Sequence, residues 1–599
     1  MSRSRFSLVV LLVLLGSTVI LQAQTTGSVS GRVIDATGAA LPGVTIEARS
    51  PSQQGTRVVV TDSGGGYRFL LLPPGQYSIN FTLEGFNPNK HNVTVNLGKE
   101  TPLDVTMRPA SVSAEITVTG DAPVLDTSTS SLGTNLSTLA IETLPTGRNY
   151  SSIVQVAPGI SSDANPGNPG QSTITVYGSS GAENAFYVDG VNTTNVEYGF
   201  QGKELNFEFI QEVDVKTGGY EAEYGRATGG IINVITKSGG NDFKGDVFGY
   251  YDNNSLQSNA KAVDSTSGTT EGFTREDYGL DLGGFLLRDK LWFFGAYDRV
   301  SNSLDSALPA GPLAGSTVTS RSRRNLGSAK LTWNVAANQS IVATFLQDPR
   351  ADTGAINDSN HTLNGDASTY LGRQDFGGRD YALRYDGVHG SNWIFSAQGA
   401  RHRETNSVGP ATSAGNAVQF RDASNDFFQT GGFGLIQNKD FDRKFYGGSA
   451  VRFIGSHELK VGVEYQQESA QVIKFMSGGQ QVDVFANDVH PAKPIYRHSY
   501  WTTPDATVGN APLSQLNSAP EHKGTTVFVQ DRWTLKDLSI NAGIRWDRQE
   551  IIDASGVTQI DLKKDYAPRL GFVWDPSAAH RSKVFGSYGR FYEEIPMDL

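Results

Sequence analysis

The chain has 599 residues, too many for one ordinary core, with 67 glycines, 10% aromatic residues and no cysteine. A formal charge of -11 argues against a nucleic-acid partner. The missing thiols exclude a disulfide framework, a Cys-ligated zinc site, a thiol nucleophile and a lipoprotein anchor.

Residues 1–23 read as a signal peptide. Arg3 and Arg5 precede the apolar run Phe6 to Leu21, and Leu21-Gln22-Ala23 offers a small residue for cleavage before Gln24. No later run reaches the roughly 18 apolar residues of a membrane helix, so a membrane-embedded form would have to be a barrel.

Residues 25–110 alternate apolar positions (Val29, Val33; Val44, Ile46; Tyr67, Phe69; Tyr77, Ile79, Phe81) between Gly/Pro turns. That pattern predicts a seven-strand sandwich of the immunoglobulin or transthyretin kind. The segments GRVIDATGAALPGV, TDSGGGYRF and LPPGQYSI resemble the carboxypeptidase regulatory-like domain, which carries no catalytic residues. A spacer and a protein-contact role both remain open for it.

Residues 111–126 form a linker. Within it, Glu115, Ile116, Thr117, Val118, Thr119 and Gly120 favour an extended backbone, isolated by Pro109 and Pro123. The hexapeptide resembles a TonB box, the exposed strand that a periplasmic energy-coupling protein extends. The alternative is one more strand of the sandwich.

Residues 127–240 hold two short helical segments, Leu139 to Leu144 and Tyr150 to Val156, a loop at Asp163 to Gly170, and a strand at Ser172 to Tyr177. Then come FYVDGV (Phe186 to Val191), IQEVDVKTGG (Ile210 to Gly219) and EYGRATGGIINVITKSGG (Glu223 to Gly240). Together these resemble the plug domain of TonB-dependent outer-membrane receptors. The plug motif on this sequence is Tyr187, Val188, Asp189, Gly190, Arg226, Gly229 and Gly230. Asp189-Gly190 reads as a turn rather than a catalytic acid. Arg226, Glu221 and Glu223 are expected to pair with charges on an enclosing wall.

Residues 241–599 alternate apolar and polar over segments of about ten residues, the length needed to cross a bilayer tilted. Leu287 to Lys290, Ala336 to Asn338 and Lys536-Asp537 are short turns, whereas Asp252 to Arg275 and Met476 to His522 are long polar connections. That asymmetry, with Trp292, Trp533, Trp546 and Trp574 near strand ends, predicts an antiparallel transmembrane barrel. The count is roughly 14 strands against about 22 in plugged transporters, so a barrel with its last third missing is expected. His389, His402, His457, His490, His498 and His522 are placed mostly in turns or loops, and Asp352 to Asp366 in a solvated loop.

The fold class is therefore all-β: sandwich, mixed plug, barrel. No HExxH, GxSxG or phosphate-loop motif appears, so neither enzyme chemistry nor a cofactor or bound metal is expected. The resemblance implies energised uptake of a bulky substrate, such as an oligosaccharide, peptide or metal chelate, across the outer membrane of a Gram-negative cell. The implied partners are a TonB-type protein, membrane lipid and an extracellular substrate, with the sandwich in the periplasm. An adhesion or protein-export platform on the same barrel is the alternative. A secreted carbohydrate-active enzyme would need a carboxylate pair that the sequence does not place.

Overall fold

A computed structural model describes residues 25–597 except 111–115, 118–125, 127, 145–146, 163–173, 259–269, 308–314, 359, 391, 488–492, 500, 503–511 and 577–581. The expected signal peptide, the loop Asp163 to Gly170 and four of the six linker residues (Glu115, Val118, Thr119, Gly120) lie outside the described residues.

The N-terminal unit is a four-stranded sheet packed on a five-stranded one. Alternation puts Val29, Val33, Ile46, Phe69, Tyr77, Ile79 and Phe81 into one shared core. Glu100–Pro102 and Val105–Met107 both run parallel beside Gly27–Asp35 as one interrupted line. Counting that line once, and setting aside the two-residue strand Ile116–Thr117, leaves the seven expected strands.

The plug is a mixed sheet ordered Leu132–Ser137, Ile210–Gly218, Ile231–Thr236, Ala185–Val188, Val191–Asn192. Thr138–Thr143 and Tyr150–Val154 are the two short helices, the second capped by Asn149, whose side chain accepts from Ser152 N. Ile141, Tyr150, Ile153, Phe186, Val188, Val213, Val215, Ile232 and Val234 form its core.

Around the plug runs a 15-stranded sheet whose path begins at Val247–Asn253 and ends at Val584–Gly589. Among the described residues no ladder joins those two end strands. Every pairing along the path is antiparallel, as in the ladders of Leu291–Ala307 with Thr317–Ala336 and of Leu435–Ile454 with His457–Met476. Side chains alternate across this wall. Tyr278, Leu280 and Leu282 are exposed outward, while Asp277 and Asp281 on the same strand are buried inward. Among the described residues no helix is long and apolar enough to cross a membrane.

Several expectations need correction. Wall strands reach 20 residues, as in Thr317–Ala336, rather than about ten. The added halves, such as Ser320 to Arg324, are polar on both faces, so no alternation announces them although the hydrogen-bond ladder continues. Trp292 does not join an outward aromatic girdle. It is fully buried and donates its indole N–H to Asn241 Oδ1 at 2.8 Å. Trp333, Trp533 and Trp574 do face outward, near the short turns. His402 and His522 sit inside strands and are buried, not in loops. Asp352 belongs to the strand Arg350–Ala355 and pairs with Arg350, so it is not part of a solvated acidic loop.

The sandwich packs against the short-turn end of the wall. Arg57 donates to Ala337 O at 2.5 Å, Asn334 Nδ2 donates to Gln54 O at 3.3 Å, and Arg68 lies 4.5 Å over the Phe453 ring. It also grips the plug. Leu97 N and Asn135 Nδ2 both donate to Glu212 Oε1, at 2.8 and 2.6 Å, and Gln54 Nε2 donates to Gly239 O at 3.3 Å.

Burial at that junction pushes the Glu212 carboxyl from its ordinary 4.5 up to about 7, against the lowering effect of the two hydrogen bonds. A carboxyl that holds its proton more tightly in the fold contributes stability fully present below 4.5 and lost as pH rises through about 7. Thermal midpoints of the detergent-solubilised protein should therefore fall between pH 5 and about 7.5, and Glu212→Gln should flatten part of that slope. An unchanged slope in the variant would contradict the assignment.

Candidate functional site: the plug–wall seam and its two chambers

The plug motif is assembled for contact rather than chemistry. Asp189 (φ 49°) and Gly190 (φ 81°) form the tight turn joining Ala185–Val188 to Val191–Asn192, a geometry in which both central residues take positive φ. The Asp189 carboxylate accepts from Thr236 N at 3.0 Å, Thr236 Oγ1 at 2.6 Å and Lys330 Nζ of the wall at 2.8 Å. Tyr187 is half-buried against the small cluster of Tyr220, Tyr224 and Ile231, and Val188 is fully buried in the main plug core. Gly229 and Gly230 leave room for Asn184 and Val176. A Cβ at Gly229 would come within 2.5 Å of Asn184 Oδ1, and one at Gly230 within 2.6 Å of Val176 Cγ2.

Arg226, also at positive φ, points its guanidinium into the wall. It bonds Gln466 and Thr526 and lies 3.7 Å from the carboxylates of Glu464 and Glu594. Glu223 pairs with Lys460 at 2.7 Å and accepts from Gln530 Nε2 at 3.0 Å. Glu221 differs from expectation. Among the described residues its carboxylate has no wall cation within ion-pair distance, and only its backbone oxygen meets Arg569.

Sequence reasoning missed more of the seam than it found. Lys203, fully buried, sits between the wall carboxylates of Asp348 (2.6 Å) and Asp380 (3.1 Å). Burial opposes its charge, yet those two carboxylates outweigh it and raise the ammonium above its usual range. Arg148 pairs with Asp277 at 2.7 Å and Glu208 at 3.0 Å, and lies 3.4 Å over the Tyr250 ring. Glu197 pairs with Lys439, and Arg443 donates to Thr194 O at 2.6 Å. The one available signal was the wall itself, where Asp380, Arg384 and Asp386, or Glu464, Gln466 and Glu468, recur at period two on the face opposite the apolar residues.

Two chambers flank the plug. One, about 670 Å³, opens away from the short turns and is lined by Tyr198, Glu204, Arg321, Arg324, Asp352 and Asn406. Burial raises the Glu204 carboxyl to about 7 against the pull of Arg324, 3.4 Å away. The other, about 700 Å³, lies between sandwich, plug and wall, lined by Gln54, Arg57, Asp189, Thr236, Asp281 and Lys330. Glu468, His522 and Glu594 approach within 4.8 Å of one another, but Arg443 and Arg226 already stand on Glu468 and Glu594. Of the linker hexapeptide, Ile116 and Thr117 run parallel beside Asn89 and Lys90 at the edge of the sandwich sheet.

Comparison with known proteins agrees with this architecture. Residues 28–108 match the carboxypeptidase regulatory-like domain, 125–231 the TonB-dependent receptor plug domain, 235–308 an outer membrane β-barrel domain and 338–594 the TonB-dependent receptor-like β-barrel. The chain thus carries the plug and barrel domains of the TonB-dependent receptors. It is 27% identical, over 98% of its length, to the TonB-dependent transporter Oar of Myxococcus xanthus, and spans 63% of that relative. Its fold is similar to that of the outer membrane transporter YddB of Escherichia coli (TM-score 0.57, 17% identity, 78% of this chain and 62% of that one). It is also similar to the ferripyoverdine receptor of Pseudomonas aeruginosa (TM-score 0.53, 13% identity, 82% and 62%). Receptors of this family are transporters rather than enzymes and sit in the outer membrane with plug and N-terminal region towards the periplasm; this chain is placed in the outer membrane with them. The short turns and the sandwich thus mark the periplasmic side.

Lys203→Met would leave Asp348 without its buried cation and Asp380 with His402 alone. Removing one partner of a buried pair costs about 3–5 kcal/mol, so the unfolding midpoint should fall sharply. Adding Asp348→Asn should recover part of the loss. A single variant as stable as the parent would show that the seam does not depend on this pair.

Proposed function

We propose that the receptor actively imports a polar solute across the outer membrane. The observation that supports this most is the pair of chambers separated by a plug whose contacts with the wall are buried ion pairs. A seam of that kind is costly to break one partner at a time, about 3–5 kcal/mol each, so thermal motion alone would rarely open it. Work must come from outside, and an outer membrane has no energy source of its own.

In this reading substrate enters the extracellular chamber and contacts the plug apex around Tyr198 to Glu204. At about 670 Å³ the chamber suits a ligand of small-oligosaccharide, short-peptide or metal-chelate size. Its lining carries both signs of charge, which favours a polar substrate over an apolar one. A TonB-type periplasmic protein then extends the segment Glu115, Ile116, Thr117, Val118, Thr119, Gly120 as an added strand and pulls. The plug rearranges, the Asp189–Lys330 contact parts, and solute passes to the periplasmic chamber.

One observation favours the adhesion reading as a companion role. The extracellular segments Phe428–Gly431, Gln419–Asp422, Gln481–Phe485 and Ile495–Ser499 build their own small sheet, whose outer strand exposes Ile495 and Tyr496.

Proline at Ile116 removes a backbone donor and cannot join a central ladder. Cells carrying Ile116→Pro should lose growth on whichever sole carbon or iron source the deletion strain fails to use, with surface levels of the receptor unchanged. Growth equal to the parent would exclude pulling through this segment.

A further inference from the structure

The lipid-facing side of the wall carries a cluster of cations that the import reading does not use. On three successive strands, Leu371–His389, Trp393–Pro410 and Leu435–Ile454, the outward positions above the apolar band are Arg379, Arg401, Arg403 and Lys444. The direction is fixed by their neighbours. Ala400 is buried inward against Val191 of the plug, so Arg401 and Arg403 point out. Tyr381 and Tyr446, two residues below Arg379 and Lys444, are 45% and 50% exposed.

Register makes the cluster unusual. Arg379 stands directly opposite Arg403, and Arg401 directly opposite Lys444. Like charges in direct cross-strand pairs repel. A single carboxylate within these rows, Asp442, relieves part of this: it takes Arg401 at 2.6 Å and lies 3.8 Å from Arg403. The next outward acid, Asp440, is two residues further up and accepts from Thr405 Oγ1 at 2.6 Å. Among the described residues Arg379 and Lys444 have no ion-pair partner. Two repelling pairs on one face of a protein of net charge -11 call for an anion from outside.

Position says which anion. Arg401 lies eight residues along its strand from Trp393 at the periplasmic turn, about 26 Å of extended chain. With barrel tilt, that places the cluster near the far rim of an apolar band about 25 Å tall, just above the exposed tyrosines of the extracellular girdle. There the cations meet the headgroups of the outer leaflet while their stems cover apolar surface. The geometry points to a binding site for a phosphorylated glycolipid headgroup, with phosphate oxygens between Arg379 and Arg403 and between Arg401 and Lys444, and acyl chains along Tyr381, Leu383 and Tyr446.

The test uses the whole receptor, purified from outer membranes in mild detergent, and the variant Arg379→Ala/Lys444→Ala, which leaves both Asp442 contacts in place. Folding is checked by heat-modifiable gel migration. Phosphorylated glycolipid co-purifying with the variant should drop about thirtyfold, as expected when two charges near an anionic surface are lost. A bisphosphorylated glycolipid should raise the thermal midpoint of the parent, whereas its dephosphorylated form and inorganic phosphate should not. Equal lipid retention in the variant would overturn the site. So would an equal shift with dephosphorylated lipid, which would mean apolar contact alone, or with inorganic phosphate, which would mean a free-anion site.

Discussion

The structure depends on charge pairing between a plug and the inner face of the sheet that encloses it. A membrane wall must turn its apolar side chains outward, and with a strand period of two the alternate residues necessarily turn inward. Those inward positions include Asp277, Lys330, Asp380, Arg443 and Arg545, each buried by or beside the plug. Buried charges without partners are not tolerated; Arg443 and Arg545 find theirs within the wall, at Glu468, Glu464 and Asp547, and the plug brings complements to the others. Lys203, Arg148, Asp189, Glu223 and Arg226 do so from separate turns and short elements, which spreads the seam around the lumen. Such contacts add little net stability over a hydrophobic seam, but they lose much when one side moves alone. That makes the plug firmly seated at rest and displaceable as a unit under load.

The sandwich extends the same logic to the periplasmic side. Its loops touch the plug at Glu212 and Gly239 and the wall at Asn334 and the Ala337 turn, bridging the two. Of the linker, Ile116 and Thr117 lie on the edge of the sandwich sheet beside Asn89 and Lys90.

How much of this was legible in the sequence follows from range. Features set by neighbours in the chain could be read: the turn at Asp189-Gly190, the tight turn at Lys536-Asp537 and the alternation of Tyr278, Leu280 and Leu282. The expectation that Arg226 and Glu223 reach the wall also held, because a charged turn inside a barrel has few other places to go. Features set by partners far away could not be read. Lys203 meets Asp348 across 145 positions, and nothing in either segment names the other. Strand ends beyond the membrane stayed hidden because both faces there are polar. His402 and His522 read as loop residues for the same reason: each lies among polar neighbours, in strands whose inward face is polar.

The account stands or falls on the order in which parts yield under force. Single-molecule pulling on the linker at Thr117, with the receptor held in a supported bilayer, measures that order directly. A first rupture that extends by part of residues 127–240 while the wall stays inserted is the predicted result. Wall strands leaving the membrane before the plug gives way, or no separate plug event, would contradict it.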